Sequence, residues 1–150
     1  MRNCGLKEHE KILIKAMNEE KYKIGFGKKP YQRAKLEMAE GVVFDRNFVN
    51  KVLEEWPEPS LLLISINESG SAAITNLSFG GAIVVDPLRV SDSAKGESFL
   101  FNTYALKELK LSKWTFGKKS AIAFKKTEEG TVWTVILARR NFVCFIQGRD

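Results

Sequence analysis

Two similar stretches decide the fold of this chain, VVFDRNFVNKVL at Val42–Leu53 and FLFNTYALKELK at Phe99–Lys110, which lie 57 positions apart. In each stretch a short apolar strand runs into a short helix, and three further runs of strand-forming residues follow. The chain from Gly41 to Arg149 is therefore predicted to be a βαβββ unit written twice. An internal repeat of this kind constrains topology more than any single motif does.

The first unit is predicted to begin with a strand at Gly41–Phe44 and to continue into a helix that Asp45 or Asn47 caps. Pro57 and Pro59 end this helix, because proline cannot continue it. Three strands are predicted to follow, at Leu61–Ile66, Ser71–Leu77 and Ala82–Val85.

The second unit follows a polar linker at Ser91–Glu97. It is predicted to contain a strand at Ser98–Phe101 and a helix that Asn102 or Thr103 caps and that runs to about Ser112. Its last three strands are predicted at Lys118–Lys126, Thr131–Ala138 and Phe142–Gln147. The predicted class is α+β, with duplicated βαβββ units forming antiparallel sheet, two short helices packed on one side and an additional N-terminal helix.

The first 32 residues are predicted to form a separate N-terminal segment ahead of an α+β domain at 33–150. Within this segment, Leu6–Lys21 has the apolar spacing of a helix. Gln32–Met38 alternates between apolar and polar residues, which predicts a half-buried strand, although a short helix through Glu40 fits its composition nearly as well.

Positive charge is concentrated in one part of the chain. The chain has 24 Lys+Arg and 18 Asp+Glu, a formal net charge of +6. The segment Lys21–Lys35 contains no acid, and the remainder of the chain is balanced in charge. Its cations are Lys21, Lys23, Lys28, Lys29, Arg33 and Lys35. A local excess of this kind focuses potential on one partner, so these residues are predicted to contact nucleic-acid phosphates.

Aromatic residues alternate with these lysines at Tyr22, Phe26 and Tyr31. Two interpretations are open for them. The rings can stack on bases beside phosphate-binding lysines, or they can belong to a solvated loop and pack on the protein core. Gly25–Gly27 and Pro30 are expected to break any regular element in this segment.

Composition predicts the compartment. Cys4 and Cys144 lie far apart, in the pattern of neither a disulfide framework nor a zinc site. The charged segment Met1–Lys15 lacks the apolar run of a signal peptide, and no other run approaches membrane-spanning length. We therefore expect a cytoplasmic protein in a reducing compartment, with no membrane partner, no metal and no cofactor.

Catalytic residues are not evident, and a non-enzymatic protein is expected. His9 is the single histidine, so it lacks a second ligand or base for a metal or nucleophile site. Asp86 or Asp92 ahead of Glu108-Leu109-Lys110 matches the Asp…Glu-x-Lys pattern of metal-dependent nucleases. Those enzymes carry Glu-x-Lys on a strand, whereas here it lies in a predicted helix, and a nuclease stays an alternative.

The doubled element order resembles one domain of the DNA sliding clamps, the ring-shaped processivity factors of replication. The resemblance is carried by Phe44–Leu53 and Phe99–Leu109, each with the strands that follow it. In that family the helices present basic side chains to duplex phosphates without reading base sequence. The resemblance implies this role for the cations of the second helix, Lys107, Lys110 and Lys113.

Two features depart from the family pattern. The first helix has Lys51 as its single cation after Arg46, and its Glu54 and Glu55 would repel a phosphate backbone. Family rings are built from six such domains, contributed by chains that hold two or three each. One domain per chain would therefore require a hexamer, or a protein that keeps the fold without the ring.

The predicted function is sequence-independent binding of nucleic acid, with duplex DNA as the expected partner, or an accessory role in replication and processivity. The alternative is a protein-interaction adaptor or inhibitor from a phage or mobile element. Phe142–Ile146 is predicted to be an apolar strand which, at a sheet edge, would be a seam for self-association.

Overall fold

The computed structural model describes residues 11–12, 14–16, 18–111, 120–139 and 142–150 of the chain. These residues form two antiparallel sheets. Sheet A has the strand order β1-β10-β9-β8-β2-β6, and sheet B has the order β5-β4-β3-β7. The strands of sheet A are β1 Lys23–Phe26, β2 Val42–Asp45, β6 Arg89–Val90, β8 Ala121–Thr127, β9 Gly130–Arg139 and β10 Phe142–Arg149. Those of sheet B are β3 Leu61–Ile66, β4 Ala72–Asn76, β5 Ala82–Val84 and β7 Ser98–Asn102.

Three helices that are described over their full length accompany the sheets, as does a short 3₁₀ turn at Asp92–Ala94. They are α1 Lys28–Glu37, α2 Arg46–Glu55 and α3 Tyr104–Glu108. Residues 11–12, 14–16 and 18 are also helical, as predicted for part of the N-terminal helix. The remainder of that predicted helix, with Cys4 and His9, lies outside the described residues.

The starts of α2 and α3 are held in the same way. The side chain of Asp45 accepts the backbone N–H of Asn47 at 2.9 Å. The side chain of Asn102 accepts the backbone N–H of Tyr104, also at 2.9 Å. Each acceptor is the last residue of a strand, so the same local device turns each strand into its helix.

The two βαβββ units are present and exchange their first strands. The first unit is β2-α2-β3-β4-β5, and the second is β7-α3-β8-β9-β10. β2 pairs with β8 in sheet A, and β7 pairs with β3 in sheet B. The registers match: Asp45 lies opposite Ala121, and its counterpart Asn102 lies opposite Leu61. The predicted α+β class is therefore confirmed, and neither sheet is complete without a strand from the other unit.

The larger core cluster lies between the sheets and includes both helices of the repeat. α2 contributes Phe48, Val49 and Val52, and α3 with its following residue contributes Ala105, Leu106 and Leu109. At the centre is Phe124 of β8, whose ring centroid lies 6.0, 5.5 and 5.0 Å from those of Phe44, Phe48 and Phe101. Because these partners come from both units, the core joins the two halves of the repeat.

A second, smaller cluster lies on the outer face of sheet A, beneath α1. Ala34 and Met38, with Tyr31 beside them, pack on Val43 and Ile136. The strand predicted at Gln32–Met38 is wrong, and its helical alternative is correct. The outer face of sheet A favours the helix, since positions i, i+3 and i+7 all reach it while Leu36 is left 77% exposed.

The segment before α1 also differs from prediction, because Lys23–Phe26 forms β1 rather than an irregular loop. Gly25 permits this, since a Cβ there would lie 2.7 Å from the ring of Pro30. Pro30 falls in the first turn of α1, where its missing N–H breaks no helical hydrogen bond. Gly25 thus lies within β1 and Pro30 within α1, so the prediction that they break any regular element is wrong.

The predicted edge at Phe142–Ile146 is wrong. β10 lies inside sheet A, with β9 on one side and β1 on the other, and Ile24 and Phe26 of β1 lie opposite Ile146 and Cys144. The N-terminal segment covers this strand, so its backbone is not open to a second chain.

Candidate nucleic-acid interface

The exposed side of α1 carries four of the predicted cations. Lys28 and Lys29 lie in its first turn, and Arg33 and Lys35 follow toward its end. All four are exposed. Among the described residues, no carboxylate lies within 4 Å of their charged nitrogens. The helix therefore presents charge that the described part of the protein does not neutralise by ion pairing.

The first turn of α1 is electrostatically unfavourable. It contains no acidic residue, and its N-cap is Gly27, which supplies no side-chain hydrogen bond. The N-terminus of a helix carries partial positive charge, so each cation there costs roughly 0.3–1 kcal/mol at low salt. Lys28 and Lys29 are thus placed where they lower helix stability and where an anion would be attracted.

Glu37, the acidic residue of α1, contacts side chains of sheet A. Glu37 accepts a hydrogen bond from Lys125 Nζ at 2.9 Å, and Gln147 Nε2 lies 3.5 Å from the same oxygen. The bond from Lys125 is the main cause that lowers the pKa of Glu37, so this carboxylate is charged at neutral pH. It ties the end of α1 to β8 and β10.

Glu108, at the end of α3, joins the N-terminal segment to the second unit. Lys21 Nζ lies 2.7 Å from one carboxylate oxygen, and the Tyr22 hydroxyl donates to the other at 2.6 Å. The bond from Lys21, followed by that from Tyr22, lowers the pKa of Glu108, and the bond to Glu108 raises the pKa of Lys21. Lys21 also lies 3.5 Å from Glu19. Its charge is therefore partly neutralised, unlike that of the α1 cations.

A cavity of about 480 Å³ lies beside this contact, at the β1 end of sheet A. Lys21 and Lys23 line it together with Gln147 and Arg149 of β10. Arg149 is ion-paired with Glu129. The fold thus places Arg149 beside Lys21 and Lys23. Arg149 follows Gln147 by two residues in β10, and this spacing in the sequence indicates that both side chains lie on one face of the sheet.

Of the predicted cations of the second helix, Lys107 lies in α3 and Lys110 lies beyond it, because α3 ends at Glu108 rather than near Ser112. Lys107 and Lys110 are exposed, while Ala105, Leu106 and Leu109 are buried. Lys110 has φ +53°, in the left-handed region, so it does not share a helical face with Lys107 as predicted. Lys113 lies outside the described residues.

The aromatic residues of the basic segment divide between packing and exposure. The ring of Tyr22 lies 5.6 Å from that of Trp133 and its hydroxyl donates to Glu108, and Tyr31, in α1, packs on the outer face of sheet A. Phe26 is 41% exposed. For the two tyrosines the packing interpretation is correct, which leaves Phe26 as the ring with substantial exposure in this segment.

Glu108, a residue of the candidate nuclease pattern, is held in contacts with other side chains. Glu108 lies in a helix, as predicted, and both of its oxygens already accept hydrogen bonds. In the described ranges, no group of three or more His, Cys, Asp and Glu residues could hold a metal ion. Cys144 is buried, and burial raises the pKa of its thiol to about 12, so it is not a thiolate at neutral pH.

No family model, curated protein or solved structure matches this chain. Within the described residues, no helix is long and apolar enough to cross a membrane.

Proposed function

We propose that this protein binds duplex nucleic acid without reading base sequence, with the exposed side of α1 against the phosphates. The observation that carries this proposal is the set of four exposed cations on α1, Lys28, Lys29, Arg33 and Lys35, with no described carboxylate within 4 Å. Cations that contact phosphates fix position and supply affinity but carry no base information.

The geometry of α1 suits this contact. Ten residues rise about 15 Å along the helix axis, over which duplex DNA presents roughly nine phosphate charges. The two first-turn lysines add to the partial positive charge of the helix N-terminus, so both attract the same anion.

Further cations extend the proposed interface. Lys23 lines the cavity beside β10, and Lys107 and Lys110 lie close in sequence to Glu108, to which Lys21 is bound. Lys21 contributes less than the others because Glu108 and Glu19 share its charge. Lys113 belongs to the same predicted set.

The repeat supports a more specific proposal, that the protein is a single clamp-like domain serving replication or processivity. Support comes from the doubled element order and from the matched registers of the two exchanged strands. A ring would need several copies of the chain. Its mass in solution, measured by light scattering with and without a duplex, distinguishes a DNA-dependent assembly from a monomer.

The experiment that tests the binding proposal is a titration of two unrelated 30-bp duplexes between 50 and 200 mM salt, read by fluorescence anisotropy. If α1 with Lys107 and Lys110 makes about six phosphate contacts, the logarithm of affinity falls with the logarithm of salt at a slope of about −5. The affinity then drops by roughly 10³-fold over this range, equally for both duplexes. Affinity that is independent of salt would contradict the proposal.

The site is tested by replacing Lys28, Lys29, Arg33 and Lys35 with Gln. The slope should become shallower by about 3.6, because four phosphate contacts are removed. A control is Lys95→Gln with Lys126→Gln, which removes two cations that are ion-paired with Asp92 and Glu97. Equal slopes for the α1 variant and the wild type would place the contact elsewhere.

A further inference from the structure

The outer face of sheet B is exposed and uncharged. In the described chain its side chains are exposed or half-buried, and Leu77 and Leu100 are 50% and 40% exposed. The outward residues are Leu61, Leu63, Ser65, Ala73, Thr75, Leu77, Ala82, Val84, Ser98 and Leu100. None of these residues carries a charge, although the chain as a whole is strongly basic.

Through the repeat, positions on this face have counterparts on the outer face of sheet A, the face on which α1 packs. Val43 lies opposite Ala123 in sheet A, and its counterpart Leu100 lies opposite Leu63 in sheet B. In sheet A, Ala121 lies opposite Ile136. Their counterparts in sheet B are Leu61 and Leu77, and the N–H of Leu77 donates to the carbonyl of Leu61. Four positions of the cluster beneath α1, which also includes Phe145 of β10, therefore correspond to Leu100, Leu63, Leu61 and Leu77, four leucines that are half-buried or exposed.

A groove runs beside these leucines. It has a volume of about 300 Å³, and small side chains from three strands, Ser65, Ala73 and Ser98, line it. Val84 and Glu97 lie at its margins. Small residues next to a row of leucines leave a concave apolar surface into which a partner's side chain can insert.

The size of the face selects its occupant. Four strands about 4.8 Å apart, each about five residues long, cover roughly 320 Å². A stable dimer buries about 800 Å² on each partner, so a second copy of this chain would be held weakly here. A helix of ten residues is about 15 Å long and 10 Å wide, so it would cover about half of this face, and α1, also ten residues long, packs on part of the outer face of sheet A, chiefly on β10, β9 and β1.

We infer that the outer face of sheet B binds an amphipathic helix of three to four turns from a protein partner. The partner helix has apolar side chains at positions i, i+3 or i+4, and i+7, because the face offers leucines and the carboxylate of Glu97 beside the groove is ion-paired with Lys126. The core separates this face from α1, so a protein partner and nucleic acid can be held at the same time. The inference does not depend on nucleic-acid binding.

The probe for this inference is a phage-displayed library of 14-residue peptides, half with amphipathic helical patterning and half with random sequence, selected on the folded wild-type protein. Enriched peptides are synthesised with a fluorophore and titrated by anisotropy. We expect helical peptides to be enriched and Leu77→Glu with Leu100→Glu to weaken their binding at least tenfold. Leu36→Glu with Leu88→Glu, which changes two other exposed leucines, should leave their affinity unchanged.

A second variant distinguishes a loss of binding from a folding defect. Ala73 is exposed, so Ala73→Arg fills the groove without removing a buried atom, and it should weaken the peptides at least tenfold while the near-UV circular dichroism stays that of the wild type. The inference is overturned if no helical peptide is enriched, or if enriched peptides bind these variants and the wild type equally. It is also overturned if the wild type is a dimer that Leu100→Glu converts to a monomer, because a second copy would then be the occupant.

Discussion

The two lysines in the first turn of α1 are predicted to lower the stability of the fold while they favour binding. Replacing Lys28 and Lys29 with Gln removes two cations from a helix N-terminus that has no acid and no side-chain cap. Each removal should stabilise the fold by roughly 0.3–1 kcal/mol, so the pair contributes about 0.6–2 kcal/mol at low salt. Because both side chains are exposed, salt screens this gain, and it should fade at high ionic strength.

The same change should weaken binding to duplex DNA. Two phosphate contacts are lost, so the salt slope becomes shallower by about 1.8, and affinity at 150 mM salt falls roughly 30-fold. If the variant is more stable than the wild type but binds DNA more weakly, these lysines serve binding rather than the stability of the fold.

Urea unfolding at 20 mM and 500 mM salt measures the stability, and anisotropy measures the binding. The control is Lys95→Gln with Lys126→Gln, which removes the same net charge but breaks two surface ion pairs, so its stability should be equal or lower. A double variant no more stable than the wild type at low salt would refute the helix-dipole argument. An unchanged salt slope would refute α1 as the phosphate contact.

Three further predictions concern the fold and the contact at Glu108. Phe124→Ala should lower the free energy of unfolding by about 3–5 kcal/mol in a single urea transition, because its ring contacts aromatic rings of both units; a second transition would show that the units unfold separately. Gly41→Ala should destabilise more than Gly80→Ala in thermal melts. Both have positive φ, but only at Gly41 would the Cβ meet a backbone oxygen, at 2.1 Å, and equal losses would contradict this account. The wild type should be more stable than Glu108→Gln at pH 7. Because the folded pKa of Glu108 is lowered, that advantage is present above the ordinary value of 4.5 and disappears as pH falls through the folded pKa, whereas an advantage constant down to pH 2.5 would exclude the ion pair as its source.

Local pattern was sufficient for the elements of the repeat. Asp45 and Asn102 end strands and hold helix starts because short polar side chains accept nearby N–H groups, a property that needs no tertiary contact. The alternation of β3 and the spacing of Phe48, Val49 and Val52 likewise follow from side-chain geometry within one element. The α+β class and most element positions could therefore be predicted from the sequence.

Gln32–Met38 shows where local pattern was insufficient. Ala34 and Met38 fit both a strand with alternate residues inward and a helix with positions i and i+4 inward. The choice depended on the apolar outer face of sheet A, whose residues Val43 and Ile136 come from distant parts of the chain. Burying those residues outweighed the exposure of Leu36, and no window of sequence around α1 contains that information.

The sequence alone determined the duplicated unit, the helix caps and the basic character of Lys21–Lys35, because each depends on residue type and short-range spacing. The tertiary structure alone decided the exchange of β2 and β7 between sheets, the pairing of β1 with β10, and the contact of Lys21 with Glu108. Each of these joins residues far apart in the chain. Which distant strand or charge becomes a neighbour is set by how the whole core closes, and a periodicity within one element cannot specify it.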